Sequence, residues 1–386
     1  VDDPTVAINQ GGVIGVTFAD LTRHDIFFQA YGPDGGRRLD SPTNISRSPA
    51  IYSWLPRMAV SDGDPMEIYV LWQEIVFSGG SHGGEIFFAR SSDGGKTFTE
   101  PVNLSNSLSG DGKGRLTQRY WDNGSLDLVL GPNGTLYAAW TEYEGTLWLR
   151  RSADGGRNFS MPLRIHPGDG GRPARGPALA TAPEDTVYIA WAIGEDPAAD
   201  IHLARSADGG RSFSQPGIVH ESRGHSDAPG IAVDGKGIVH LVYAESPEGR
   251  FMRYHIRYTR STDNGRSFAN PTVISDPESA AAGSANFPAL ELSGDNRLYV
   301  LFELFPERGH RSRGLGLASS DDGGRTFTPA TTVPGSLDPE DGINGSQQGL
   351  LMRKLAVNDE GAIAVVNSTF ISGKSSHVRL IRGTRK

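Results

Sequence analysis

The 386-residue chain contains no cysteine. That excludes disulfide bonds, zinc–thiolate centres and cysteine nucleophiles. It also lacks any apolar run of about 18 residues, the length a helix needs to cross a bilayer. Basic residues are not in excess: 37 Lys and Arg stand against 45 Asp and Glu, a formal net charge of −8. A chain that repels polyanions overall is not expected to coat nucleic acid. No segment carries the 3.6-residue apolar period of an amphipathic helix. The ten histidines lack metal-ligand spacing, and no cofactor is implied. The chain starts at Val1 rather than Met, which suggests processing; a secreted or periplasmic location is the expectation.

Turn formers are abundant, with 50 Gly and 24 Pro, and a hydrophobic content of 37% suffices for a packed core. The chain is also repetitive. The pattern Ser-x-Asp-x-Gly-x-x-Phe occurs at 91–98, 152–159, 206–213, 261–268 and 320–327, and a degenerate copy spans 32–39. The aspartates (34, 93, 154, 208, 263, 322) are 54 to 61 residues apart. Short β-rich runs precede each copy in the same order, such as Arg57–Val60, Ile68–Trp72 and Ile86–Ala89; another follows, such as Pro101–Leu104. Four short antiparallel strands per repeat, A to D from the axis outward, make a propeller blade.

The sequence therefore predicts an all-β protein, one domain over 1–386. It is a single β-propeller of seven four-stranded blades, with six as the alternative if the terminal pieces merge. The boxes fall in the C–D turns, where Asp and Ser bond the turn backbone, Gly supplies positive φ and Phe plugs the blade. The last unit, Lys354 to Ile381, has no box and no obvious fourth strand.

These boxes resemble those of the Asp-box, or BNR-repeat, propellers, whose best-known members are sialidases. The resemblance covers essentially the whole chain. It implies an arginine triad on a sugar carboxylate, a Tyr–Glu nucleophile and an Asp acid/base. The Phe/Tyr-Arg-Ile-Pro signature of sialidases is absent; Trp54-Leu55-Pro56-Arg57 has the wrong order. Activity therefore has to be argued from the site.

In this topology A–B and C–D turns share one face, and B–C and D–A loops share the other. The second face carries the longer loops and is where function is expected. Carboxylates that recur at one blade position, Asp20, Glu74, Glu142 and Glu245, read first as architecture, although Glu142 remains a catalytic candidate. Residues found in one blade only are the better candidates. Arg119, Tyr120, Trp121 and Asp122 form an anion and sugar reader. Trp54 and Arg57, Arg172 and Arg175, Arg223 with His225 and Asp227, Arg311, and Arg353 complete an arginine-rich face able to grip an anionic glycan.

Three functions compete. An exo-glycosidase on an anionic sugar, sialidase-like, would use Tyr120, Asp122, Glu142 and Asp227, and is ranked first. A polysaccharide lyase on a uronate polymer would use Arg119 to neutralise the carboxylate, with Tyr120 and His225 as base and acid. A non-catalytic propeller would bind glycan or protein through the same arginines.

Overall fold

A computed structural model describes residues 1–48, 52–75, 84–106, 126–142, 145–168, 172–195, 198–250, 252–275, 283–305, 312–337, 343–344, 353–370 and 376–384. Among them the regular elements are all β-strands, and the architecture is a β-propeller.

The first sheet runs β1 (Asp2–Ile8), β2 (Ile14–Asp20), β3 (Asp25–Tyr31) and β4 (Thr43–Asn44). The second is β5 (Tyr52–Val60), β6 (Ile68–Ile75), β7 (Gly84–Ser91) and β8 (Val102–Asn103). The third is β9 (Leu126–Leu130), β10 (Leu136–Thr141), β11 (Leu147–Ser152) and β12 (Leu163–His166). An eight-stranded sheet follows. It comprises β13 (Ala174–Ala182), β14 (Thr186–Glu195), β15 (Ala198–Ser206) and β16 (Gly217–His220), then β17 (His225–Val233), β18 (Val239–Ser246), β19 (His255–Ser261) and β20 (Thr272–Val273). Its halves are antiparallel meanders joined by one parallel bridge, Ala199 to His225. Next come β21 (Ser284–Leu292), β22 (Leu298–Phe305), β23 (Leu315–Ser320) and β24 (Thr331–Thr332).

The last sheet departs from this plan. β26 (Leu355–Val357), β27 (Ala362–Phe370) and β28 (His377–Thr384) form a meander, and β25 (Ile343–Asn344) pairs the far end of β27. The extra strand thus lies in line with β26 and not outside β28.

Inner strands touch in succession, β1 with β5, β5 with β9, and so on through β13, β17 and β21 to β26, which meets β1. The ring closes through Val6 N–H and Thr5 Oγ1, both donating to the Arg353 carbonyl at 3.0 Å. Every hydrophobic cluster among the described residues draws on two neighbouring meanders, as when Ala178, Ala190 and Leu203 meet Ile231, Leu241 and Tyr243; the closing one joins Val6, Ile14 and Val16 to Ala356, Ala364 and Val366. Second strands are therefore buried on both faces: all six residues of β10 and all eight of β18 are buried. Their aromatics Trp72, Trp140, Trp191, Tyr243 and Phe302 are nearly inaccessible. Burying such a side chain contributes roughly 1.5–3 kcal/mol.

The Ser-x-Asp-x-Gly boxes lie between third and fourth strands. Ser91 Oγ donates to Asp93 Oδ1 (2.8 Å) and accepts from Gly95 N–H (2.9 Å), while Thr97 N–H and Oγ1 donate to Asp93. Ser320, Asp322, Gly324 and Thr326 repeat this. The box Phe does not plug its own sheet. It reaches back to the preceding one: Phe98 packs on Phe28, Phe159 on Phe88 and Phe327 on Tyr258, with centroids 4.7–5.7 Å apart. The box glycine lies against the same ring; a Cβ on Gly95, Gly156 or Gly324 would overlap Phe28, Phe88 or Tyr258. The degenerate box meets Arg382 of β28 instead, which donates to the Pro33 and Asp34 carbonyls.

Candidate functional site

Five inner strands share a feature that places the site. Registers shift between Asp2 and Thr5, Trp54 and Arg57, Arg175 and Ala178, Asp227 and Gly230, and Asn286 and Ala289. Each shift is a two-for-one bulge facing a second-strand aromatic: Phe18, Trp72, Trp191, Tyr243 or Phe302. Each holds a positive-φ residue followed by proline: Asp3-Pro4, Leu55-Pro56, Gly176-Pro177, Ala228-Pro229 and Phe287-Pro288. Proline removes the donor that the bulge cannot pair. It also pushes the preceding residue out of the right-handed helical region. A bulge re-aims the side chain before it. The pre-bulge residues, Asp2, Trp54, Arg175, Asp227 and Asn286, thus stand at equivalent positions on the D–A loop face, and they differ from sheet to sheet.

Two of them belong to a polar cluster. Arg175 Nη2 lies 3.3 Å from His225 Nε2 and 3.8 Å from Asp227 Oδ2. His225 Nδ1 lies 3.1 Å from the Tyr254 hydroxyl, with the rings edge to face. An arginine only donates, so His225 Nε2 is the acceptor and Nδ1–H donates to Tyr254. Tyr254 sits in the B–C loop just before β19. It is tied to β21 by its N–H donating to Ser284 Oγ (2.9 Å) and its carbonyl accepting from Ala285 N–H (3.0 Å). Arg175, His225 and Tyr254 are 6%, 1% and 8% exposed; the Asp227 side chain, at 31%, is where the cluster meets solvent. The arrangement can hold a neutral imidazole beside a phenol and a fixed cation, a set suited to proton transfer next to an anion.

The other sequence candidates are dispersed. Arg172 and Arg223 are exposed on the strands' approach to this cluster. Trp54 is half-buried and its indole donates to Gln73 Oε1 at 3.1 Å. Glu142 is half-buried in a tight B–C turn, its N–H donating to the Thr146 carbonyl. Arg119, Tyr120, Trp121, Asp122 and Arg311 lie outside the described residues. Other carboxylates of the recurring set are engaged locally. Glu74 accepts from Ser48 Oγ and Trp72 Nε1, Glu245 pairs with Arg257 at 2.5 Å, and Asp20 caps its own turn at Thr22.

Arg57 and Arg353, which the sequence reading puts with the loop-face arginines, stand elsewhere. Arg57 follows the Pro56 bulge and is carried past it. Both line an axial cavity of about 260 Å³, with Asp127 and Glu291. Arg353 Nη2 donates to Asp127 Oδ2 at 2.8 Å, and that oxygen also accepts from Leu179 N–H. Burial pulls Arg57 down to about 10, opposed by Asp127. Burial also disfavours the Arg353 charge, but Asp127 and Glu291 outweigh it and hold the group above its ordinary value. Burial pushes Glu291 up to about 7 against the pull of Arg353.

Sequence reasoning missed Tyr254, Asp127 and Glu291. Tyr254 hides at the edge of a run read as a third strand. The bulges had a signal: Pro4, Pro177, Pro229 and Pro288 each precede the second-strand aromatic by 14 residues. Among the described residues no group of three or more His, Asp or Glu is arranged to hold a metal. Nor, among the described residues, is any helix long and apolar enough to cross a membrane.

Neither a protein-family model nor a curated protein sequence matches the chain. Solved structures do. A polysaccharide lyase, an ulvan lyase bound to -[GlcA(1-4)Rha3S]-, superposes with a TM-score of 0.64 at 12% identity, covering 98% of this chain and 93% of that one. A protein of unknown function from Dyadobacter fermentans gives 0.59 at 16% identity over 88% and 97%. An α-L-arabinanase from Penicillium chrysogenum gives 0.51 at 14% identity over 85% and 92%. Sialidases are also among the structural neighbours. At these identities the likeness establishes one thing about the chain, its β-propeller fold.

Proposed function

We propose that this chain is a glycan-acting enzyme of the lyase type, cleaving a uronate-bearing polysaccharide at the D–A loop face. The observation that carries the reading is the Arg175–His225–Tyr254 alignment. Elimination from a uronate needs three things: a cation on the carboxylate, a base for the proton on C5 and an acid for the leaving oxygen. Arg175, with Arg172 and Arg223 near the entrance, supplies the cation. His225 donates Nδ1–H toward Tyr254 and lowers the cost of a phenolate there. Tyr254 as phenolate takes the C5 proton, the C5 electron pair forms the C4–C5 double bond, and the C4–O bond breaks. The tyrosine then returns the proton to the departing oxygen. The ulvan lyase of the same fold, bound to a glucuronate-containing ligand, supports the substrate class by analogy.

The finer architecture belongs to the same reading. We count seven blades in one domain over 1–386, the closing one built from β26, β27 and β28. The succession of inner-strand contacts from β1 round to β26 supports that count. An anionic polymer as substrate favours a secreted or periplasmic location.

The test is a screen of the purified chain against uronate-containing and sulfated polysaccharides and a sialoside. Unsaturated product is read by near-ultraviolet absorbance and released sugar by reducing ends. The lyase reading expects unsaturated product that Arg175→Ala and Tyr254→Phe abolish with folding intact. Released sugar without unsaturation would favour the hydrolase, with Asp227 as its acid/base. Neither product, with saturable glycan binding, would leave a binding propeller.

A further inference from the structure

Large apolar side chains exposed among the described residues lie mostly on or beside the outermost strands. Val102, Met161, Ile218, Val273 and Leu337 go with β8, β12, β16, β20 and β24, where a sheet edge leaves them open. Leu21 and Tyr52 do not fit that account. Each is 41% exposed, and both stand on the loop face where the first and second sheets meet. Leu21 is in the B–C turn between β2 and β3, and Tyr52 opens β5 at the end of a D–A loop.

The turn holds a second ring against Tyr52. The Asp20 carboxylate accepts from Thr22 and Arg23 N–H, and the Asp20 carbonyl accepts from His24 N–H at 2.7 Å. Closing the turn this way leaves His24 at φ +63°, a left-handed conformation that histidine adopts more readily than most residues. The His24 carbonyl then accepts from Ser53 N–H at 2.9 Å, which ties the turn to β5 one residue from Tyr52. The imidazole and the phenol ring are stacked, with centroids 3.8 Å apart and planes inclined by 33°. Tyr52 is thus braced by one aromatic contact and still open to solvent, unlike the inaccessible second-strand aromatics. Arg23 lies 5.6 Å over the Phe27 ring and 4.0 Å from Asp20, so what the seam offers first is a ring and not a charge.

We infer that Tyr52, backed by His24, is a stacking subsite for one pyranose ring of a glycan chain, separate from the Arg175–His225–Tyr254 cluster on the same face. This rests on the glycan-acting part of the proposed function and not on its lyase chemistry. The C–H face of a pyranose is apolar and lies flat on an aromatic ring, while the sugar hydroxyls stay in water. A ring already held in place loses little freedom when the sugar arrives. In the succession of inner strands β9 stands between β5 and β13, so the sugar on Tyr52 is not the one beside Arg175. A polymer lying across the face touches both places, and the second contact adds affinity by being tethered to the first.

The experiment is native affinity electrophoresis of the full chain, in the cold, through gels containing polygalacturonate, alginate, hyaluronate or chondroitin sulfate. The parent is expected to be retarded by at least one of them. Tyr52→Ala should weaken that affinity about 3- to 10-fold, by the same factor at low and high salt, and Tyr52→Trp should retain it. His24→Gly suits the positive φ and removes only the backing ring, so it should weaken retardation too. Ile218→Ala, an exposed apolar change on an outer strand, should run as the parent does. Retardation without unsaturated product would sink the lyase reading and leave this one standing. No retardation of the parent in any gel would overturn the inference. So would a Tyr52→Ala protein that melts at a lower temperature yet is retarded like the parent, since the stack would then only hold the turn to β5.

Discussion

Arg175 and Asp227 occupy the same position in adjacent meanders, each immediately before a proline bulge, and their side chains meet at 3.8 Å. Neither the strands alone nor the loops alone would bring them together. An unbroken pairing would keep each on the phase of its strand, and the extra residue re-aims both. His225 on the same strand as Asp227, and Tyr254 from the next loop, complete the group. Its precision comes from strands locked by packing on both faces.

Tyr254→Phe removes one hydroxyl from this group and leaves His225 Nδ1–H without its acceptor. Turnover on the identified substrate should fall by about 10²-fold or more. Stability should fall by only about 1–2 kcal/mol. Steady-state kinetics beside a thermal melt separate the two effects; equal turnover in the variant would remove Tyr254 from the chemistry.

Gly324 and Gly323 provide a paired test of the box. Both have positive φ, +77° and +70°. A Cβ on Gly324 would overlap the Tyr258 hydroxyl, whereas one on Gly323 meets nothing within 4 Å. Gly323→Ala should cost about 1 kcal/mol from backbone strain alone. Gly324→Ala should cost roughly 2–4 kcal/mol, because a buried ring must also move. Denaturant melts of the two variants give the difference directly.

Lys354 and Glu303 form a buried ion pair between the β26 and β22 regions. Lys354→Met alone strands a carboxylate in the core and should cost about 3–5 kcal/mol. Adding Glu303→Leu should recover most of that, since an apolar pair replaces an ionic one. A double-mutant cycle by chemical denaturation reads the coupling; additive losses would mean that the two charges are not partners.

The box aspartates set an acid limit. Hydrogen bonds hold their carboxyls below the usual range: first the Asn158 backbone for Asp154, and the hydroxyls of Ser212, Ser267 and Thr326 for Asp208, Asp263 and Asp322. A carboxyl depressed on folding contributes stability that is complete above its unfolded value, about 3.9. That contribution is lost as pH falls toward the folded value. The melting temperature should therefore drop progressively below about pH 4. Asp322→Asn should show a shallower drop than the parent.

The repeat made much of the fold legible. Ser-x-Asp-x-Gly at near-constant spacing placed the turns, and runs such as Leu136 to Trp140 placed the second strands. The split into two faces followed from antiparallel connectivity. His225, Asp227 and Arg175 were legible as loop-face candidates because they do not recur. Tyr254 was not, because its place in the cluster depends on contacts with β21 that no local pattern encodes. Arg57 and Arg353 looked like their loop-face counterparts because sequence order does not show which side of a bulge a side chain ends on. The departure of β25 from the four-strand plan is a long-range pairing and left no trace in composition.

The clasp between a box and the ring before it works as a carpenter's joint. Gly95, Gly156, Gly210, Gly265 and Gly324 are mortises cut for Phe28, Phe88, Tyr137, Leu203 and Tyr258. A copied unit would carry a tenon on one side and a mortise on the other, so it could be spliced between any of those neighbours. The joint at Gly35 is cut differently, for the Arg382 guanidinium. An aromatic tenon would not find its match there, so this one seam is keyed to its own partner.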